Sequence, residues 1–323
     1  MRAIVMTGVG GPEVLVVRDV PRPEPDAEEL VIRTEAVPVL YPETALRSGA
    51  FPTPVAPPFV FGYQAVGTVV ATGSRVDDAL YGRRVGVAAG SGAYADYVAA
   101  PAASATPIPD GLDAATAAAT LMSGSVALEL LDAAALTGTE TVLVEAAATG
   151  VGAALTQLAA GRGVRVLATA GEAAKAERAR TLGAEHVFDH RDPHWVDRLR
   201  DELGPASVDV VFDSIGGESA AAMLEVLTPL TGRLLGYGFL SGAPASVTAA
   251  DLIARGLTFV GCAGPHWLDQ VAGRRADALE LAAAGSLDCL VESVLPLEQA
   301  AEAHRLVEAR TPLGKIILRP RTS

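Results

Sequence analysis

Only two cysteines, Cys262 and Cys289, occur in 323 residues, and both sit among apolar neighbours. That count excludes a disulfide framework and any zinc site built on a cysteine cluster. Buried free thiols in a reducing, cytoplasmic compartment fit it. Basic residues are also scarce, 25 against 38 acidic, for a net charge of −13. A chain so acidic repels phosphate backbones and anionic bilayers, which argues against nucleic acid or membrane as partners. No apolar run reads as long enough to span a bilayer. The start, Met1-Arg-Ala-Ile-Val-Met6, leads straight into a strand pattern and lacks the form of a signal peptide. No internal repeat suggests a solenoid.

Half of the residues are hydrophobic and one fifth are charged, enough for a sizeable core. The length favours two domains over one. The most telling segment is Thr141-Val-Leu-Val-Glu-Ala-Ala-Ala-Thr-Gly-Val-Gly152. A β-branched run ends in small residues and passes into a helical pattern, Ala153 to Ala160. A strand, a tight turn and a helix N-terminus make an anion site, because the helix end carries free N–H groups and a positive dipole end. Small residues at Ala148, Thr149, Gly150, Val151 and Gly152 let a pyrophosphate approach the backbone. Further strand patterns follow at Val164–Thr169, Val208–Asp213 and Gly232–Gly236, separated by helical segments. That alternation is the mark of a doubly wound α/β sheet binding a dinucleotide.

Residues 1 to 115 have another texture. Short β-type runs alternate with Pro and Gly, as in a β-rich domain with many turns. Ala50 to Pro58 reads as a loop, since Pro cannot supply ladder hydrogen bonds. The tail returns to a strand, a helix and a final strand. The expected division is therefore 1–115 with 286–323, and 116–285 for the dinucleotide domain.

Several motifs carry a family resemblance together: Gly11-Pro-Glu-Val14, Arg47-Ser-Gly49, Gly62-Tyr-Gln-Ala-Val-Gly67, Gly82-Arg-Arg-Val85, Gly92 to Val98, Ala146 to Gly152, Leu182-Gly-Ala184, Asp213-Ser-Ile-Gly-Gly217 and Gly314-Lys315. In order and spacing the chain resembles the medium-chain dehydrogenase/reductase superfamily, in its zinc-free quinone oxidoreductase (zeta-crystallin-like) branch. The resemblance implies a GroES-like β-barrel catalytic domain, a Rossmann cofactor domain and a cleft between them. It also implies a homodimer paired through an edge strand, for which Leu257 to Gly261 is the candidate.

Zinc-dependent relatives carry Gly-His-Glu where this chain has Gly62-Tyr63-Gln64. Tyr and Gln are poor zinc ligands, so the expected mechanism is metal-free and the acceptor an easily reduced one. NAD-selective sites place a carboxylate after the second strand. Here that slot is Ala170, and the family sets a Lys against a 2′-phosphate where Lys175 stands. Gly171, Lys175 and His190 therefore point to NADPH, with Arg191 as an alternative to His190. Ser123 occupies the place of a family Thr that bonds the nicotinamide carboxamide; a helix N-cap is its structural alternative. Ile215 and Gly216, and then Gly236, Tyr237, Gly238 and Phe239, are expected to line the cofactor.

On the substrate side, Leu40 takes the position of a family Asn and Tyr41 that of a Pro. Tyr41 and Tyr63 are candidate proton or hydrogen-bond donors, or else an apolar wall. Gln64 can orient a carbonyl, and Glu43 caps a helix expected over 44–47. Tyr94 and Tyr97 read as packing residues. Three readings follow: a quinone reductase, an enoyl (α,β-unsaturated carbonyl) reductase, and an NADPH-binding structural or sensory protein with little turnover.

Overall fold

The computed structural model describes residues 1–51 and 55–321. They form two compact units, Met1–Met122 with Arg275–Ser323 and the continuous segment Ser123–Arg274. The division falls inside the helix Ala114–Ala134 and ahead of the helix Arg275–Ala283, so it differs from the expected limits at 115/116 and 285/286. Of the Pro-rich stretch, Pro52, Thr53 and Pro54 lie outside the described residues; Val55 to Pro58 carry neither strand nor helix.

In the first unit the longest strand, Glu29–Pro38, pairs antiparallel with Gln64–Thr72, Tyr97–Pro101 and Lys315–Arg319. The last of these belongs to the returning tail, where it runs parallel to Val291–Pro296. Gln64–Thr72 continues to Arg84–Ala88 and Thr106–Pro107. Ile4, Met6, Leu30, Ile32, Phe61, Val69, Val85 and Tyr94 meet in the interior. At Gly67 the paired strand passes so close that a Cβ would lie 2.1 Å from the Arg33 carbonyl oxygen.

In the second unit six parallel strands stand in the order His186–Phe188, Arg165–Thr169, Thr141–Val144, Val210–Asp213, Arg233–Gly236, Thr258–Gly261. Numbered along this unit the order is 3-2-1-4-5-6, the doubly wound dinucleotide fold. The central strands are buried on both faces, which is why they read as continuous apolar runs instead of alternating ones.

The helix Ala114–Ala134 corrects one expectation. Its 21 residues are long and apolar enough to cross a membrane, yet 72% of its most apolar window is buried inside the protein. It is a core helix whose small side chains admit close packing; Gly86 lies so near Leu121 that a Cβ would meet its Cδ1 at 2.7 Å.

Candidate functional site

The dinucleotide turn runs from Glu145 to Thr149, between the Thr141–Val144 strand and the helix Gly150–Gly161. Thr149 is the extended N-cap, and its side chain does not close the helix end. The first amides of that helix, at Gly150, Val151 and Gly152, have no acceptor one turn back and are available to a pyrophosphate. Ala146 and Gly150 both take positive φ, 50° and 54°. At Gly152 a Cβ would stand 2.4 Å from the Ala146 carbonyl oxygen, so the helix can begin this close to the turn only with glycine there. The turn is tied to the second strand: Ala146 N donates to Thr169 Oγ1 (3.2 Å) and Ala147 N to Thr169 O (3.0 Å). Arg178 Nε donates to Ala148 O at 3.1 Å. The sequence reading missed Arg178, because nothing local shows that a helix residue thirty positions later folds back onto the turn.

At the end of the second strand, Gly171 lies against His190: a Cβ there would be 2.9 Å from Nε2. Lys175, one of two lysines in the chain, is half-buried on the adjoining helix Ala173–Thr181. Arg191, the alternative to His190, directs its guanidinium at Asp189 (3.0 and 2.8 Å). Ala170 is buried, and no carboxylate stands at that position.

The remaining cofactor candidates fall into two kinds. Gly216 has φ +69°, and a Cβ would meet Ala243 O at 2.5 Å; Ile215 and Gly216 donate their amides to Asp213 Oδ1 at 2.9 and 2.7 Å. Gly238 backs onto Ser214, whose O would lie 2.8 Å from a Cβ. Tyr237 hangs its N–H on Asp213 O (2.9 Å), and burial pushes its phenol pKa up. Phe239 follows it in the same loop, with Gly242 N donating to its carbonyl at 2.8 Å. Gly236, by contrast, is filled by Phe259: the ring's Cζ lies 3.0 Å from where its Cβ would be. Ser123 is not an N-cap. It lies mid-helix within Ala114–Ala134, fully buried, and its Oγ has no hydrogen-bond partner among the described residues. A buried hydroxyl without a partner fits a ligand's amide.

In the first unit the helix begins earlier than expected, at Tyr41, and runs to Ser48 with Leu40 as N-cap. Glu43 organises this wall. Its Oε2 accepts from Leu40 N (2.9 Å) and Tyr94 Oη (2.8 Å), and its Oε1 from Tyr63 N (3.2 Å). Tyr94 is thus more than packing, since its hydroxyl also meets His304 Nε2 at 3.1 Å. It lies beneath Gly62, where a Cβ would fall 2.1 Å from Cδ1. Burial raises Glu43 to about 7, against the pull of the Leu40 amide, Tyr94, the Tyr63 amide and Lys315. Burial, with the charge of Glu43, also raises Tyr63, so that its hydroxyl stays protonated at neutral pH. Tyr63 is half-buried, edge-on to Phe61 at 5.8 Å. Gln64 is buried, its Oε1 without a partner among the described residues, and Leu40 is 6% exposed. Tyr41 is half-buried, with the Arg310 guanidinium 5.9 Å from its ring centroid. Among the described residues no three His, Cys, Asp or Glu side chains converge as a metal site would require.

Comparison with known proteins agrees with this geometry. The alcohol dehydrogenase GroES-like domain family matches residues 26–110, and the zinc-binding dehydrogenase family matches 150–283. A quinone oxidoreductase of Pseudomonas aeruginosa is 31% identical over 99% of both chains. The crystal structure of Escherichia coli quinone oxidoreductase complexed with NADPH has a TM-score of 0.91 at 29% identity, covering 99% of this chain and 100% of that one. An NAD-dependent alcohol dehydrogenase structure has a TM-score of 0.89 at 31% identity over 99% of both chains. The chain belongs to the medium-chain dehydrogenase/reductase superfamily, in its quinone oxidoreductase branch.

A proton held by Glu43 up to about pH 7 has a stability signature. The unfolded chain releases it near the ordinary value of 4.5, so the stability it contributes is complete below that pH and is lost as pH rises to about 7. Glu43→Gln removes the dependence. The difference in unfolding free energy between the two proteins is expected to change by roughly 3 kcal/mol between those pH values, measured by urea unfolding. Parallel profiles would show an ordinary carboxyl.

Proposed function

We propose that this chain is an NADPH-dependent oxidoreductase that reduces a quinone or another conjugated carbonyl acceptor without a metal ion. One observation carries the cofactor choice: Gly171 lies against His190, with Ala170 where a ribose-binding carboxylate would stand and Lys175 on the helix that follows. Basic side chains and no carboxylate at that strand end suit a 2′-phosphate. The residues fit the rest of the dinucleotide. Free helix amides at Gly150 to Gly152 take the pyrophosphate, the Ile215–Gly216 turn admits close approach, and Ser123 Oγ is left for the carboxamide.

NADPH supplies the hydride when bound. Tyr63 holds a proton at its hydroxyl and can donate a hydrogen bond to the acceptor oxygen. Tyr41 is the second hydroxyl of the wall, and Gln64 Oε1 can accept from the reduced product. With Tyr and Gln in place of metal ligands, the acceptor must be activated by conjugation. Two buried cysteines, neither in a disulfide, suit a reducing cytoplasm.

A second copy is the partner we infer. The strand Thr258–Gly261 ends its sheet with one side unpaired and largely exposed, and Phe259 is 38%, Ile253 80% and Leu230 81% accessible around it. Such an edge calls for a cover. Light scattering is expected to give a dimer mass, and Phe259→Lys to shift it toward monomer. A monomeric wild-type protein would overturn this pairing.

The function itself is tested by NADPH oxidation with a small quinone and a trans-2-enal in parallel. Preference for the quinone supports the reading. Preference for the enal, with kcat lowered about 100-fold in Tyr41→Phe at unchanged NADPH affinity, makes the chain an enoyl reductase with Tyr41 as proton donor. NADPH binding without turnover on either acceptor points to a structural or sensory protein. Lys175→Ala is expected to raise the KM for NADPH at least about tenfold and to leave that for NADH unchanged. Equal effects on both would remove Lys175 from the 2′-phosphate site.

A further inference from the structure

Glu145 is the first residue beyond the Thr141–Val144 strand, and Asp213 is the last of the neighbouring Val210–Asp213 strand. Val144 stands opposite Phe212 in the parallel register, so the two acids come next to one another at the strand ends. Both are fully buried. Among the described residues, neither oxygen of Glu145 has a hydrogen-bond partner, and neither does Oδ2 of Asp213. Asp213 Oδ1 is occupied, by the amides of Ile215 and Gly216. Among the described residues, the titratable groups acting on Glu145 are the Asp213 carboxyl and the Tyr237 phenol, with no cation beside them.

Two adjacent buried carboxylates cannot both remain ionised without a counter-charge. One proton between them removes one charge and gives the orphaned oxygens a partner, because a protonated carboxyl is a donor. Two amides already point at Asp213 Oδ1. Those amides belong to the turn whose Gly216 lets a dinucleotide pass.

We propose that Glu145 and Asp213 share one proton, and that this bridge positions the Ser214–Gly216 turn beside the cofactor. The second half rests on the dinucleotide reading above; the first does not. Burial, then the Asp213 carboxyl beside it, hold Glu145 well above the usual carboxylate range, against the pull of the Ile215 amide. The folded chain keeps a proton that the unfolded chain loses, so stability falls as pH rises above that range. Glu145→Gln puts an N–H donor where the shared proton stands and supports Asp213 at every pH.

The test compares wild type, Glu145→Gln and Glu145→Ala. Thermal unfolding without cofactor from about pH 5 to about pH 9 is expected to show the Tm of Glu145→Gln gaining on wild type as pH rises. Infrared difference spectra at about pH 8, where Glu43 is ionised, should show a protonated-carboxyl band in wild type that Glu145→Gln lacks. Glu145→Ala should weaken NADPH binding about tenfold or more in a fluorescence titration, with Glu145→Gln restoring it to within about threefold. Parallel unfolding profiles without the band would overturn the shared proton. Unchanged affinity in Glu145→Ala would overturn the positioning role. If wild type binds no NADPH, the cofactor reading and the positioning role both fail, and the unfolding and infrared results alone decide the bridge. Should Glu145→Ala not fold, an affinity in Glu145→Gln that matches wild type at low pH and exceeds it at high pH supports the positioning role, and coincident affinities overturn it.

Discussion

Parallel register at the centre of the second unit is the constraint on which its chemistry depends. Thr141–Val144 is flanked by Arg165–Thr169 and Val210–Asp213, with Val144 opposite both Ala168 and Phe212. Strands paired in one direction end together, so every loop that follows opens on the same edge. That shared edge gathers Glu145 to Thr149, Ala170 and Gly171, Ser214 to Gly216, and Tyr237 to Phe239, which are far apart in the chain. Gly152 completes the arrangement, because any side chain there would strike the Ala146 carbonyl.

In the first unit the comparable role belongs to a single buried carboxyl. Glu43 joins the start of one helix, the entry to the Gln64–Thr72 strand and the Tyr94 ring beneath it. Four opposing influences fail to offset its burial, and so its proton persists to about pH 7. A polar hub of this kind specifies geometry as well as stability, since each of its donors would be costly to leave unpaired. The backbone amides of Leu40 and Tyr63, two of the residues proposed to face substrate, are held by it.

Much of the architecture was legible in the chain. The apolar strand followed by Ala146 to Gly152 announced the dinucleotide turn, and alternating strand and helix patterns announced the doubly wound sheet. Gly171 and His190, nineteen residues apart, were read together as cofactor residues, and the structure puts the two next to each other. Other positions needed the structure. Of the two roles open to Ser123, the N-cap is excluded, because the Ala-rich segment around it continues as helix through Ala134. The space on the Cβ side of Gly236 is taken by Phe259 from the next strand.

The family resemblance carried by the chain's motifs implied Tyr63 and Gln64 where zinc-dependent relatives hold their metal. What periodicity, small-residue spacing and composition encode, the sequence determined by itself: two domain textures, a strand and tight turn suited to a phosphate, and no carboxylate at Ala170. These are properties of neighbouring residues, and short-range sterics express them directly. Only the tertiary structure decided which distant groups share a desolvated space. Glu145 with Asp213, Arg178 with Ala148, and Glu43 with Tyr94 and His304 are partnerships between segments, and protonation depends on the company a carboxyl keeps once water has been excluded.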